Sequence, residues 1–358
     1  MNTNLSKNKV VLGLSGGVDS TTAALLLKEQ GFTVIGFYFD VLGTNDKGKK
    51  AAEDLARHLD IDFISEDVSD FFEQEIIGNF CSEYGRGRTP NPCVICNPAV
   101  KFKKLLETAD ANGAYYIATG HYARIHHNID RDIYYIRKGA NQRKDQSYML
   151  YRLGQQVLSR LMLPLGEFAE KEDARNLARS KHMPNADASD SQEICFINDE
   201  KENYVNFLER HGICSRCGDF VDSNGNVLGQ HRGISHYTVG QRKGLGIALG
   251  KPAFVTSIDA ENNRVVLGSN EDLFSRYITS SEHFFAETSS AVIPAGLLEK
   301  SGITVKIRYA AKPAEAVLSS CGEDMIEACF DEPQRAAAPG QSIVFYDGEL
   351  VLGGGFIE

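Results

Sequence analysis

Along the first half of the chain, short runs that are apolar at nearly every position alternate with longer stretches in which apolar residues return every three or four positions. Runs of the first kind suit strands buried on both faces of a parallel sheet, and stretches of the second kind suit the helices that cover it. Strands are expected at Val10 to Leu14, Thr33 to Asp40, Ile61 to Ser65 and Tyr115 to Gly120, and helices at Thr21 to Gln30, Lys50 to Leu59 and Ala99 to Asn112. Gly31 and Gly113 stand where helices commonly end on a left-handed residue. From Lys9 to about Phe196 the pattern is therefore that of an α/β domain with a doubly wound parallel sheet. A further helix, Glu170 to Ser180, precedes the polar segment Pro184 to Ser191, which has the character of a long active-site loop.

Beyond about Lys201 the texture changes to short β-type runs, such as Ala253 to Ile258 and Arg264 to Leu267, separated by turn residues such as Ser223-Asn224-Gly225-Asn226. Later runs at Ile303 to Tyr309, Met325 to Phe330, Ser342 to Tyr346 and Leu350 to Phe356 are spaced as in a small barrel or sandwich, and a barrel is the architecture we adopt. The expected organisation is a catalytic α/β domain over residues 1–201, a small central β-rich domain over 202–275 and a C-terminal β-barrel over 276–358. At about 150 residues per domain, a length of 358 agrees with two or three such units.

Composition adds exclusions. Apolar residues make up 42% and charged residues 24%, as in an ordinary folded protein, so disorder and collagen-like structure are excluded. Eight cysteines are too few for a disulfide framework, and two CxxC pairs suggest metal or redox chemistry instead. The first residues carry no secretory pattern, and no apolar run reaches the roughly 18 residues that would cross a membrane. A cytoplasmic protein with no membrane association is the expectation.

Val10-Val11-Leu12-Gly13-Leu14-Ser15-Gly16-Gly17-Val18-Asp19-Ser20 is an apolar strand running through a glycine turn into a helix. Gly16 and Gly17 let backbone N–H groups approach an anion, and Ser15 and Ser20 add hydroxyls. The loop is a phosphate cradle but not a Walker A loop, because the GK[ST] ending is missing. This SGGVDS stretch resembles the pyrophosphate loop of the ATP-pyrophosphatase superfamily, whose fold is adenine nucleotide α-hydrolase-like. The resemblance implies ATP cleaved to AMP and pyrophosphate, with contacts at Gly13, Leu14, Ser15, Gly16, Gly17, Val18, Asp19, Ser20, Phe39 and Gly120. It also implies that Asp19 helps hold Mg2+ and that Phe39 lines the adenine or ribose pocket.

Gly87-Arg88-Thr89-Pro90-Asn91-Pro92-Cys93-Val94-Ile95-Cys96-Asn97 sets two thiols in a rigid turn ahead of a basic helix bearing Lys101, Lys103 and Lys104. A helix N-terminus with nearby lysines lowers a thiol pKa, which makes Cys96 a candidate nucleophile. A third thiol, Cys195, lies at the tip of the polar loop, in Asp190-Ser191-Gln192-Glu193-Ile194-Cys195-Phe196-Ile197. Taken with ATGHYAR (Ala118 to Arg124), KDQSY (Lys144 to Tyr148) and YTVGQRKGLGI (Tyr237 to Ile247), these motifs resemble the tRNA-specific 2-thiouridylase family in order and along nearly the whole chain.

That resemblance implies that ATP adenylates the C2 oxygen of the wobble uridine, a poor leaving group until AMP can depart. It assigns the sulfur to a persulfide on Cys195 and makes Cys96 the second catalytic cysteine, with a Cys96–Cys195 disulfide as the outcome. Asn91, Pro92 and Cys93 would contact the target base. His121, Lys144, Asp145, Gln146, Arg308, Tyr309 and Gln341 would contact tRNA, of the species for Lys, Glu and Gln. A sulfur donor, either a desulfurase or a relay protein, is implied as partner, and a monomer is expected. The family usually has an aspartate where this chain has Cys93. Two readings of that departure stand open: a redox or proton-handling substitute, or a [4Fe-4S] cluster on Cys93, Cys96 and Cys195.

Cys214-Ser215-Arg216-Cys217 forms the second CxxC, with His211 and His231 near in sequence; free or adventitiously paired thiols take precedence there over zinc. Cys81, Cys321 and Cys329 are expected to be core thiols. The formal charge of -10 is uneven. His121 to Arg152 holds seven Arg or Lys against three Asp, while Gly229 to Lys251 and Lys300 to Pro313 each hold four against none. One basic stripe in each expected domain suits an RNA substrate.

Overall fold

The structure is a computed structural model that describes residues 5–43, 46–188, 194–197, 203–214 and 216–358. Asp190, Ser191, Gln192 and Glu193 beside Cys195, the expected boundary at residues 201 and 202, and Ser215 of the second CxxC lie outside the described residues.

Val10, Val11 and Leu12 have no exposed surface at all, because the strand they form, β1 (Ser6–Gly13), is covered on both faces. Around it stand β2 (Thr33–Asp40), β3 (Asp62–Asp67) and β4 (Ala114–Ala118). A hairpin of β5 (Ala123–Asn128) and β6 (Ile133–Lys138) then departs from the sheet before the two-residue β7 (Leu161–Met162) rejoins it. The parallel order is β3-β2-β1-β4-β7. The chain leaves β1 toward β2 on one side and later returns to β4 on the other, so a crevice opens beyond the C-terminal ends of β1 and β4, the place where such sheets bind ligands.

Helices α1 (Val18–Glu29) and α2 (Asp46–His58) follow β1 and β2. Next, α3 (Ser69–Phe72), a π-helical turn Glu73–Ile77 and α4 (Gly78–Gly85) run on as one helix that the hydrophobic spacing does not announce. A π turn shifts the apolar phase within such a run. A second composite helix comprises α5 (Pro92–Cys96), a π-helical turn Asn97–Phe102 and α6 (Lys103–Ala111). The short α7 (Gln155–Leu158), α8 (Lys171–Ser180) and α9 (Tyr204–Arg210) complete the helices. Gly31 and Gly113 end α1 and α6 with φ of +87° and +66°, as expected of helix-terminating glycines.

The central unit is a four-stranded sheet of β8 (Gly218–Val221), β9 (Val227–His231), β10 (Phe254–Asp259) and β11 (Arg264–Gly268), in the order β10-β11-β8-β9, over a core of Phe220, Tyr237, Val255 and Val265. The last unit is an antiparallel barrel of β12 (Phe274–Phe285), β13 (Ile303–Lys306), β14 (Ala314–Gly322), β15 (Met325–Arg335), β16 (Ser342–Asp347) and β17 (Leu350–Ile357). Pairing of β12 with β17 closes it, which settles the choice between barrel and sandwich. β12 escapes the alternation test because two of its inward positions, Ser280 and His283, are polar; they satisfy each other through a 3.0 Å hydrogen bond.

The β5–β6 hairpin joins the barrel sheet through Leu350 and Arg137. Its basic residues serve that junction. Arg131 pairs with Glu287, Arg124 and Arg137 pair with Glu349, and Lys300 of the barrel pairs with Asp347. Three of the seven basic residues of His121 to Arg152 and one of the four of Lys300 to Pro313 are thus held in these ion pairs.

Glu287 also accepts a 2.8 Å hydrogen bond from the hydroxyl of Tyr135, a residue only 6% exposed. Glu287→Ala strands that hydroxyl and should lower unfolding stability by about 1–3 kcal/mol. Arg131→Ala removes only an exposed charge and should cost under about 1 kcal/mol. Denaturant melts of the two variants check this, and equal losses would contradict it.

Candidate active site

The turn after β1 takes its shape from glycine and hydroxyls. Gly16 has φ of +84°, and Gly17 precedes α1 with no side chain capping the helix. The first N–H groups of α1 therefore face outward, where an anion is favoured. Ser20 donates to the Gly17 carbonyl at 3.0 Å, and Ser15 meets Ser20 at 3.3 Å. Leu14 and Val18, only 1% and 4% exposed, send their side chains into the core, so only their backbones face the crevice. Phe39 stands against Gly13, where a Cβ would lie 3.4 Å from its ring. From the loop before the Cys195 segment, the Asn185 amide donates to the Gly16 carbonyl at 2.8 Å and to the Thr21 hydroxyl at 2.9 Å.

Gly120, just past β4, abuts the start of α1. A Cβ there would sit 2.9 Å from the Asp19 carbonyl carbon and 3.0 Å from the Ser20 nitrogen, so only glycine permits the approach. Tyr122 follows and donates its hydroxyl to Asp19 at 2.8 Å, while Lys171 stands 3.6 Å from the other Asp19 oxygen. Gln146 exchanges two 2.9 Å bonds with the Tyr122 backbone.

Between those residues, His121 shares a 2.8 Å hydrogen bond with Thr119 and stacks on Phe102 of the second composite helix. Burial, aided by the charge on Lys101, pushes its imidazole down to about 3, so it is neutral at physiological pH. That helix carries the thiols. Asn91 caps it by accepting from the Cys93 N–H at 3.2 Å, and Pro92 fills the first turn. In a regular α-helix, Lys101 would point about 140° away from Cys96. The π turn after Cys96 inserts one residue and brings Lys101 back to the thiol side.

Only Cys93 occupies the helix N-terminus; Cys96 ends α5 inside a continuing helix. The expected lowering of the Cys96 pKa is not found. Burial pushes its thiol up to about 11, opposed by Lys101 and reinforced by the sulfurs of Cys195 and Cys93. Cys195 is an exposed residue, yet protein packed around its sulfur raises that thiol too, again against Lys101. Burial also works against the Lys101 ammonium, but Cys96, Cys93 and Cys195 more than offset it. Phe196 and Ile197, buried among Phe72, Phe80 and Phe207, anchor the Cys195 segment beside Cys96 and Val100.

Cys96 and Cys195 are free thiols, as are the other six cysteines. Among the described residues, no three His, Cys, Asp or Glu side chains stand close enough to hold a single metal ion, while Cys93, Cys96 and Cys195 gather around the Lys101 ammonium. At the second CxxC, both ring nitrogens of His211 and of His231 have protein partners, which leaves Cys214 and Cys217 without a histidine to complete a zinc site. Cys81 is buried as expected and Cys329 is half-buried, but Cys321 is exposed near the end of β14.

The residues expected to meet tRNA divide. Asn91, Pro92, Cys93, His121 and Gln146 surround the thiols and the turn after β4. Lys144 and Asp145 belong to the next loop, where Asp145 is buried and accepts from the N–H groups of Gly139 and Ser147 and from the Ser147 hydroxyl. Asp145 and Tyr309 line one cleft. Arg308 donates to the Arg335 carbonyl at 2.8 Å, and Gln341 donates to the Thr89 carbonyl at 2.9 Å, linking the barrel to the turn ahead of Asn91.

Three family models match the chain in succession: a tRNA methyl transferase HUP domain over residues 8–199, a tRNA methyl transferase PRC-barrel domain over 205–269 and an aminomethyltransferase beta-barrel domain over 279–357. The tRNA-specific 2-thiouridylase MnmA of Acetivibrio thermocellus is 44% identical over 99% of this chain and 100% of its own. The tRNA-specific 2-thiouridylase MnmA 1 of Caldanaerobacter subterraneus is 46% identical over 98% of each chain. Among solved structures, the U34-tRNA thiolase NcsA from Methanococcus maripaludis with its [4Fe-4S] cluster aligns at a TM-score of 0.36 and 20% identity, over 59% of this chain and 70% of that one. With identity of that order to curated relatives over nearly the full length of both chains, this protein belongs to the tRNA-specific 2-thiouridylase family.

Proposed function

We propose that the protein thiolates the C2 position of the wobble uridine of tRNA, with ATP converted to AMP and pyrophosphate. The observation that carries this reading is the short span Thr119-Gly120-His121: Gly120 touches the phosphate loop and His121 stacks on the thiol-bearing helix, so the two chemistries share one wall. ATP would lie with its phosphates at the N–H groups of the Gly16-Gly17 turn and its adenosine toward Phe39. Magnesium typically takes one or two protein carboxylates beside the phosphates it bridges, and Asp19 suits that part. Bound there, it would neutralise charge on the departing pyrophosphate.

The uracil C2 oxygen attacks the α-phosphate and expels pyrophosphate, leaving an adenylated base. The terminal sulfur of a Cys195 persulfide, loaded by a donor protein, then attacks C2 and expels AMP. Cys96 attacks the inner sulfur, which breaks the S–S bond to the base, releases 2-thiouridine and leaves a Cys96–Cys195 disulfide for external thiols to reduce. A variant order, in which Cys96 first releases hydrosulfide from the persulfide, ends in the same disulfide. Lys101 lies where it would support negative charge on either sulfur. Cys195 is exposed enough for a donor to reach it, whereas Cys96 is kept as a neutral thiol until the base arrives. The enzyme would act as a monomer on tRNAs for Lys, Glu and Gln.

Cys195→Ser should abolish 2-thiouridine formation while tRNA-dependent pyrophosphate release continues; full thiolation by that variant would overturn the reading. Gly120→Ala forces a Cβ into the α1 backbone and should raise KM for ATP roughly tenfold or more, and it should slow thiolation as well because the same segment carries His121 against the thiol helix. Alkylation of Cys96 in the resting enzyme, followed by mass spectrometry, should keep rising with pH to about 11 because the thiolate forms only there. A plateau near the ordinary thiol value of about 8.5 would contradict the buried assignment.

A further inference from the structure

The peptide between Gly16 and Gly17 has no side chain on either flank to hold its orientation, and glycines let such a peptide rotate at little cost. Its direction matters, because the carbonyl and the N–H of one trans peptide point opposite ways. With the Gly16 carbonyl turned inward, the Gly17 N–H faces outward, where it makes a long 3.4 Å contact with the exposed Ser15 hydroxyl. Turned over, the same peptide would present a carbonyl oxygen to any anion at the start of α1.

Asn185 sets that direction. Its amide nitrogen lies 2.8 Å from the Gly16 carbonyl oxygen and 2.9 Å from the Thr21 hydroxyl, and the fully buried Thr21 gives its own proton to the Gly17 carbonyl at 3.1 Å. A carbonyl accepts and cannot donate, so the end of the Asn185 amide that faces Gly16 is its NH2. Among the described residues no backbone N–H reaches the Gly16 carbonyl, which leaves Asn185 as its partner. The Asn185 amide oxygen, by contrast, is buried with no hydrogen-bond partner among the described residues. An orphaned buried acceptor is a cost, and the two N–H groups at the loop are what this side chain offers against it. The backbone on either side is firmly seated: Met183 and Ala186 are buried in one cluster with Val18 and Ala24, and Arg175 donates to the Ala186 carbonyl at 3.2 Å.

We propose that Asn185 is a positioning residue for ATP: by holding the Gly16 carbonyl it keeps the Gly17 N–H aimed at a phosphate of the nucleotide. It rests on the reading of this turn as the ATP site of a thiolase and adds the side chain, 169 positions further along the chain, that fixes the shape of the turn. An N–H that meets the phosphate alike in bound ATP and in the transition state acts on KM and spares kcat.

Pyrophosphate release from ATP by the full chain with unmodified tRNA tests this, with inorganic pyrophosphate and adenosine as competing ligands that take the loop and the nucleoside pocket separately. Asn185→Leu, close in size but without donors, should raise KM for ATP and Ki for pyrophosphate about tenfold, with kcat and Ki for adenosine within about twofold of wild type. Asn185→Asp keeps size and polarity should the leucine variant fold poorly, and it sets a carboxylate against the Gly16 carbonyl, so it should raise both constants at least as much. Unchanged KM and Ki for pyrophosphate in a folded variant would show the positioning role wrong while the ATP reading stands. A Ki for adenosine rising in step with them would mean general distortion of the site and would overturn the role as well. Absence of tRNA-dependent pyrophosphate release by the wild type would overturn the thiolase reading and this inference together.

Discussion

The close approach of Gly120 to the first turn of α1 is the constraint on which the rest of the site depends. Two neighbouring parallel strands, β1 and β4, end side by side, and the segments that follow them must pass without room for a Cβ. That contact fixes the direction in which β4 leaves the sheet. The next residue meets Phe102 and the one after meets Asp19, so one backbone path orients both the phosphate loop and the thiol helix. Displacement at Gly120 would move both reaction centres together.

A second constraint is electrostatic. Cys96 lies in the same apolar cluster as Phe80, Val100 and Phe196, and desolvation there favours a neutral thiol. Lys101 works against that preference, and it does so only because the helix carries a π turn at Asn97–Phe102. Reactivity is therefore held back in the resting protein and depends on what enters the site. A buried thiol beside a lysine resists stray oxidation and still has a cation at hand when negative charge arrives on sulfur.

Much of this was legible in the sequence. Strands buried on both faces carry unbroken apolar runs, so β2 could be read to the residue and β1 only over its buried half from Val10, its start at Ser6 being exposed and polar. A glycine turn between strand and helix has few other uses. The β5–β6 hairpin, β8, β9 and β14 were not read as strands, and three further features escaped for identifiable reasons. The helix from Ser69 to Gly85 has a π turn at its centre, which disrupts the regular helical period. β12 buries Ser280 and His283, which break the alternation expected of a strand. The pKa of Cys96 was misjudged because sequence shows a cysteine near a helix start and lysines, but not that the start belongs to Cys93 and that packing outweighs the charge. The Asn185 bonds to Gly16 and Thr21 join residues more than 160 positions apart and left no local signal.

The basic stripes show how far charge counting reaches. Their excess of cations is genuine, yet Arg124, Arg131 and Arg137 hold the hairpin to the barrel, and Arg308 is turned inward to the carbonyl of Arg335. The barrel reaches back to the thiol helix as well. The Thr89 N–H donates to the Pro339 carbonyl at 2.7 Å, Gln341 donates to the Thr89 carbonyl, and Arg88 pairs with Glu358. The turn that positions Asn91 and Cys93 is thereby braced by residues from the far end of the chain. A load on the barrel would be felt at that turn, because these few hydrogen bonds and the ion pair join the two. Through Gln341 and Thr89 the barrel is part of the frame that holds the thiol-bearing helix.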